Sequence, residues 1–135
     1  MGFFDRFKKK SSQPEWLSQM PEQMAGLIFN QIQSNPQACA HDEIPQGFGK
    51  FGLESTNPVP VYGVPSNELY LRRLALKNGD KISWKRVGSL SSSNISMSID
   101  KYDIQNARGE TICDIFLSPY HFKTSEKCPE GFKFK

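Results

Sequence analysis

The sequence predicts an α+β domain in which an N-terminal helical segment packs on a mostly antiparallel β-sheet. Apolar residues step by three and four between Trp16 and Ile32, short alternating apolar runs divided by turn residues fill the second half, and the helical pattern precedes the strands. A chain of 135 residues holds one core, since a second would be too small to stand. Residues 1–11 read as a basic amphipathic tail and residues 12–135 as a single α+β domain.

In the tail, Phe3, Phe4 and Phe7 fall on one side of a helix, and Lys8, Lys9 and Lys10 follow as a cluster. So short a segment is not a stable helix in water and orders only against a surface. Arg6 and the three lysines stand against Asp5 alone, while the rest of the chain holds 13 basic and 13 acidic side chains. The whole formal charge of +3 therefore resides in the tail.

Ser12-Gln13-Pro14-Glu15 reads as a capping box with proline in the first turn. The stripe Trp16, Met20, Met24, Leu27, Ile28 and Ile32 follows; Pro21 kinks or restarts the helix, and Asn35-Pro36 ends it. Residues 44–65 are dense in proline (45, 58, 60, 65) and glycine (47, 49, 52, 63), which predicts a long loop with extended pieces near Phe51 to Leu53 and Val59 to Tyr62. From Ser66 two readings compete. One is a short helix through Tyr70 and Leu74; the other is a strand through Leu74 and Leu76, turning at Asn78-Gly79 into Ile82 and Trp84. Residues 89–94 read as a polar loop.

Ile95, Met97 and Ile99 alternate with polar residues as a half-buried strand. Tyr102 and Ile104 resume on the opposite parity, a slip that a bulge would explain. Asn106 to Gly109 is a turn, Cys113, Ile115 and Leu117 mark a strand, and residues 118–135 read as a closing loop.

No stretch approaches the roughly 18–20 apolar residues of a membrane span. Asp5 and Arg6 break the apolar run after Phe4, so no signal-peptide core is expected and the cytoplasm is the default address. Three cysteines, Cys39, Cys113 and Cys128, make a poor disulfide framework and suit that address. Outside the tail the balanced charge argues against a protein whose main task is gripping nucleic-acid phosphates.

Gly47-Phe48-Gly49-Lys50-Phe51-Gly52 matches G-x-G-x-x-G, but Pro58 and Pro60 remove the helix that a dinucleotide site requires, and turn glycines are the ordinary reading. Cys39, His41, Asp42, His121 and Cys128 lack paired metal-ligand spacing, so neither metal nor other cofactor is expected. No nucleophile elbow is present, and the two histidines leave little for an activated Cys or Ser. One polar cluster stands out. Arg86, Gly88 and Ser89 together with Tyr120, His121, Lys123, Thr124 and Ser125 offer donors to an anion. A solvated loop closing the sheet is the competing reading.

The pattern Ile44-Pro45-x-Gly47-x-Gly49-x-Phe51-Gly52, Thr56-Asn57-Pro58-x-Pro60-Val61-x-Gly63, Tyr70-Leu71, Arg86-x-Gly88-Ser89, Tyr120-His121, Ser125 and Pro129-x-Gly131-Phe132 resembles a group of small bacterial proteins with no assigned function. The resemblance spans Ile44 to Phe132 with gaps. It implies a bacterial source and supplies no activity, cofactor or catalytic residue.

The functional expectation is a non-enzymatic interaction or adaptor protein with a protein partner. Its contact residues are Phe3, Phe4, Phe7, Lys8, Lys9 and Lys10, placed weakly and reversibly at the inner membrane surface. A frayed or self-docked terminus is the competing reading of the tail. Two alternatives stay open. One is a small enzyme or ligand-binding domain using Arg86, Ser89, Tyr120, His121, Lys123 and Ser125. The other is single-stranded nucleic-acid binding by Phe48, Lys50, Phe51 and Tyr62.

Overall fold

The computed structural model describes residues 14–135. The tail and Ser12 lie outside the described residues. A short 3₁₀ helix covers Glu15–Gln19, with Pro14 in the cap position and no side-chain cap bond. Met20 and Pro21 are extended, and helix α1 starts afresh as Glu22–Gln33. Pro21 causes the break, because it lacks the N–H that a continuous helix would use and suits a helix start. Strand β1 is Val59–Pro60, helix α2 Pro65–Arg72, and strand β2 Leu74–Leu76. Strands β3 (Ser83–Ser92), β4 (Ile95–Gln105), β5 (Thr111–Ser118) and β6 (Phe132–Phe134) complete the described elements.

The main sheet has the order β1-β5-β4-β3, antiparallel except for β1 alongside β5; β2 and β6 form a separate antiparallel ribbon. The fold is α+β, with a mostly antiparallel sheet. Several local expectations change. Helix and strand both occur between Pro65 and Leu76. Asn78-Gly79 does turn the chain, but β2 pairs with β6 at the C-terminus instead of with β3. Phe132-Lys133-Phe134, expected as the end of a loop, supplies that partner. Residues 89–92 extend β3 up to a tight turn at Ser93-Asn94, and Phe51 to Leu53 is a turn.

The change of parity in β4 has a cause other than a slip in that strand. Its pairing with β5 runs unbroken from Asp100↔Leu117 to Ile104↔Cys113. Alternation therefore persists, and the sheet is covered on both faces. Ile95 and Ile99 point to one face, where Ile44, Leu90 and Phe116 join them. Tyr102 and Ile104 point to the other, against Ile115, Leu117, Val59, Val61, Tyr70, Leu71, Leu74 and Phe132. Ile104 and Leu117 are 0% exposed, and each contributes about 1.5–3 kcal/mol by burial. The bulge is real but lies opposite, in β3, where the register shifts between Arg86 and Gly88.

Loops are stitched on by asparagines. Asn94 donates to the carbonyls of Gln46 (2.9 Å) and Thr56 (2.7 Å), and Asn57 donates to that of Gly49 (2.9 Å). Asn35 donates to the Tyr120 carbonyl (2.8 Å) and accepts from Ser96 Oγ (2.7 Å). Short amide side chains reach backbone groups that no ladder pairs, which lets proline-rich segments be buried.

Helix α1 sits at one end of this body. Ile32 is buried, and Ile28 and Trp16 crowd Gly63. Phe29 meets Phe122 at 6.4 Å, and the Trp16 ring stands 6.2 Å from Tyr62. Only one edge of the apolar stripe is covered. Met24 and Leu27, neighbours on the opposite flank, are 52% and 64% exposed. Among the described residues no helix is long and apolar enough to cross a membrane.

Two glycines give opposite predictions. Gly52 has φ +74°, and an added Cβ would lie 2.8 Å from Pro129 Cγ and 3.0 Å from Val59 Cγ2. Gly26 is in the interior of α1 with open space around it. Gly52→Ala will destabilise by about 1–3 kcal/mol, and Gly26→Ala will stabilise by about 0.5–1 kcal/mol, as read by urea unfolding. Equal effects of the two would contradict this packing.

Candidate functional site

Asp100 organises the most polar part of the interior. It follows Ile99 in β4 and so faces the main core, where it is 6% exposed. Its Oδ1 accepts from Arg86 Nη2 (3.1 Å) and Ser89 Oγ (2.9 Å), and its Oδ2 from Asn67 Nδ2 (2.8 Å). Arg86 Nη2 also donates to Ser89 Oγ (2.9 Å). Arg86 and Ser89 are three apart and would face opposite sides of a regular strand. The β3 bulge between them reverses the alternation, so Arg86 pairs across to Tyr102 and Ser89 to Asp100 on the same face. Asn67 comes from the first turn of α2, so the carboxylate joins helix and sheet.

Two phenols belong to this neighbourhood. Burial pushes the Tyr102 phenol up, and the Asp100 charge adds in the same direction. Tyr120 is raised for the same two reasons, burial first. Arg86 and Ser89 of the expected donor set therefore meet at Asp100, whereas Tyr120 makes no hydrogen bond to it among the described residues.

The remaining expected residues gather elsewhere, around the segment after α1. Lys123 Nζ donates to Asp42 Oδ1 at 3.0 Å, and Ser125 Oγ to the Asp42 carbonyl at 2.7 Å. The Glu126 amide also reaches Asp42 Oδ1, at 2.9 Å, and these bonds hold the Asp42 carboxyl below its usual range. His121 is 0% exposed between them. Its Nδ1 accepts the Cys39 amide N–H (3.1 Å), which leaves the proton of the neutral ring on Nε2, 2.9 Å from Ser118 Oγ. His121 thus donates to Ser118 and has no free lone pair with which to activate it. The ring clamps β5 to the loop at Cys39. Lys123 and Ser125 do the same for Asp42.

The other motifs resolve in the same manner. The Gly47–Gly52 amides turn inward: Gly47 to the Ile44 carbonyl, Phe48 to Thr56, Lys50 to Glu54 Oε2 and Gly52 to Asn57. No run of amides is left to cradle a phosphate there. Burial pushes the Cys113 thiol up to about 11 and raises Cys39 and Cys128. All three cysteines are free thiols. Among the described residues no group of three or more His, Cys, Asp and Glu could hold a metal ion. Of the rings offered for stacking on bases, Phe51 and Tyr62 are buried and Phe48 alone is exposed.

Beside the Asp100 network lies a cleft of about 390 Å³, lined by Val64, Pro65, Glu68, Leu69, Arg72, Arg86 and Tyr102. Asp100, Asn67, Tyr102 and Arg72 carry this site and were not singled out from the sequence. The one available signal was an aspartate on the same parity as Tyr102 and Ile104, which demands a partner if both faces of the strand are covered. No family model, curated protein or solved structure matches the chain.

Burial drops the His121 pKa to about 4 from 6.5. The unfolded chain therefore takes up a proton near 6.5 and the folded chain only near 4. The stabilisation is complete above pH 6.5 and is lost as the pH falls through this window, amounting to roughly 3 kcal/mol. Urea midpoints between pH 7 and pH 4.5 will fall steeply for the natural chain and less for His121→Gln. Parallel curves would contradict an enclosed neutral imidazole.

Proposed function

We propose that this protein is a non-enzymatic bacterial interaction module that attaches reversibly to an anionic membrane surface through its N-terminal end. The observation that carries this reading is the bare flank of α1. Met24 and Leu27 stand side by side in solvent on a helix whose other edge is seated on the body. In sequence, the segment ahead of this helix carries Phe3, Phe4 and Phe7 beside Lys8, Lys9 and Lys10. Apolar groups that insert shallowly and cations that meet lipid phosphates are the two components of interfacial attachment. The sheet body, with balanced charge, would then be held beside the bilayer to meet a protein partner. A binding role rather than a catalytic one is supported by His121, whose lone pair is occupied, and by three thiols shifted away from thiolate.

Flotation with vesicles of anionic and of neutral lipid tests the reading. The full chain will float with anionic vesicles and be released by salt. A chain starting at Ser11 will bind at least roughly a hundredfold more weakly, since it loses a net charge of +3 and each basic residue near the surface is worth about 1 kcal/mol. Met24→Gln with Leu27→Gln will weaken flotation of the full chain further. Equal flotation of the full and shortened chains, or equal binding to neutral vesicles, would refute it.

A further inference from the structure

The cleft beside Asp100 differs in chemistry from the bare flank of α1. One wall is a single face of α2: Pro65, Glu68, Leu69 and Arg72 recur at steps of three and four, while Ser66, Asn67, Tyr70 and Leu71 on the other face are buried. Val64 continues this wall, and Val64 and Leu69 are 47% and 37% exposed. Opposite stand the cross-strand pair Arg86 and Tyr102, with the buried Tyr102 as the floor.

Arg86 is the informative residue. Its Nη2 is tied to Asp100 and Ser89, yet half of the side chain is exposed, and among the described residues Nε and Nη1 have no partner. A guanidinium is a rigid planar fork, so fixing one nitrogen fixes the direction of the others. Arg86 is thus a donor held in place before any ligand arrives, and little side-chain entropy remains to be lost on binding. Arg72 adds a second guanidinium and, among the described residues, makes no salt bridge.

Charge balance limits what fits. Arg72 and Arg86 are matched by Glu68 in the cleft and by Asp100 beneath it. With Glu68 and Asp100 already matching the two arginines, a dianionic phosphate would bring two uncompensated charges and a carboxylate only one, and a carboxylate can accept single hydrogen bonds from Arg86, through Nε or Nη1, and from Arg72. The volume is at the small end for ligand sites, and Val64, Pro65, Leu69 and Tyr102 offer an apolar bed. We propose that this cleft binds a small monocarboxylate with an apolar or aromatic body, the carboxylate received by Arg86 and Arg72 and the body laid on Val64, Leu69 and Tyr102.

The test is a titration of the full-length protein with phenylacetate, followed by amide NMR shifts, with phenyl phosphate and phenethyl alcohol as comparisons. Arg86 is a poor first variant because its loss strands Asp100; Arg72→Gln and Leu69→Ser change exposed side chains only. Phenylacetate at millimolar concentration will shift the amides of Leu69, Arg86 and Tyr102, and Arg72→Gln and Leu69→Ser will each weaken binding roughly tenfold. Phenyl phosphate and the neutral alcohol will bind more weakly than phenylacetate. Shifts absent from these residues, unchanged affinity in both variants, or tighter binding of phenyl phosphate would overturn the assignment.

Discussion

A buried carboxylate is tolerated only where its neighbours supply charge and hydrogen bonds, and Asp100 shows how much structure one such group can dictate. Each of its oxygens is engaged, by donors from β3 and from α2. Leaving it unpaired would cost several kcal/mol. The β3 bulge, the position of α2 and the direction of Arg86 are all consistent with that one requirement. The same network that satisfies Asp100 forms one side of the cleft, so the stability of the core and the shape of the site are not separable here.

The fold class was legible because it rests on period alone. The steps of three and four before residue 33 and the alternation in Ile95–Ile99 and Cys113–Leu117 appear as α1, β4 and β5. What was not legible depends on pairing across the chain. Leu74 and Leu76 alternate correctly, but nothing local says that their partner is Phe132–Phe134, 56 residues further on for the outermost pair Leu76↔Phe132. The apparent slip in β4 had the same origin. A strand covered on both faces places Ile99 and Asp100 in opposite environments, and only the coverage by Ile44 on one side and Tyr70 on the other reveals it.

The candidate site was half legible for a related reason. Arg86 and Ser89 were visible as donors, yet their spacing is wrong for a common face until the bulge is known. Tyr120, His121, Lys123 and Ser125 are contiguous, and contiguity suggested one cluster. The chain instead divides them from Arg86 and Ser89, turning His121 inward toward Cys39 and fixing Lys123 and Ser125 on Asp42. Polar residues in this protein largely serve loops that lack ladder partners, as Asn35, Asn57 and Asn94 do. A polar cluster in so loop-rich a sequence is therefore a weak sign of chemistry; a guanidinium fixed by a buried acid and left half open is a stronger one.

Asp100 and Arg86 form one unit on which the site depends. A double-mutant cycle of Arg86→Gln and Asp100→Asn, read by urea unfolding, tests it most directly. Because Arg86 is half exposed, Arg86→Gln alone is expected to cost about 2 kcal/mol, toward the lower end for a broken buried pair. In the Asp100→Asn background, where no charge is left stranded, the same change should cost less than about 1 kcal/mol. Additivity of the two changes within about 0.5 kcal/mol would contradict the account.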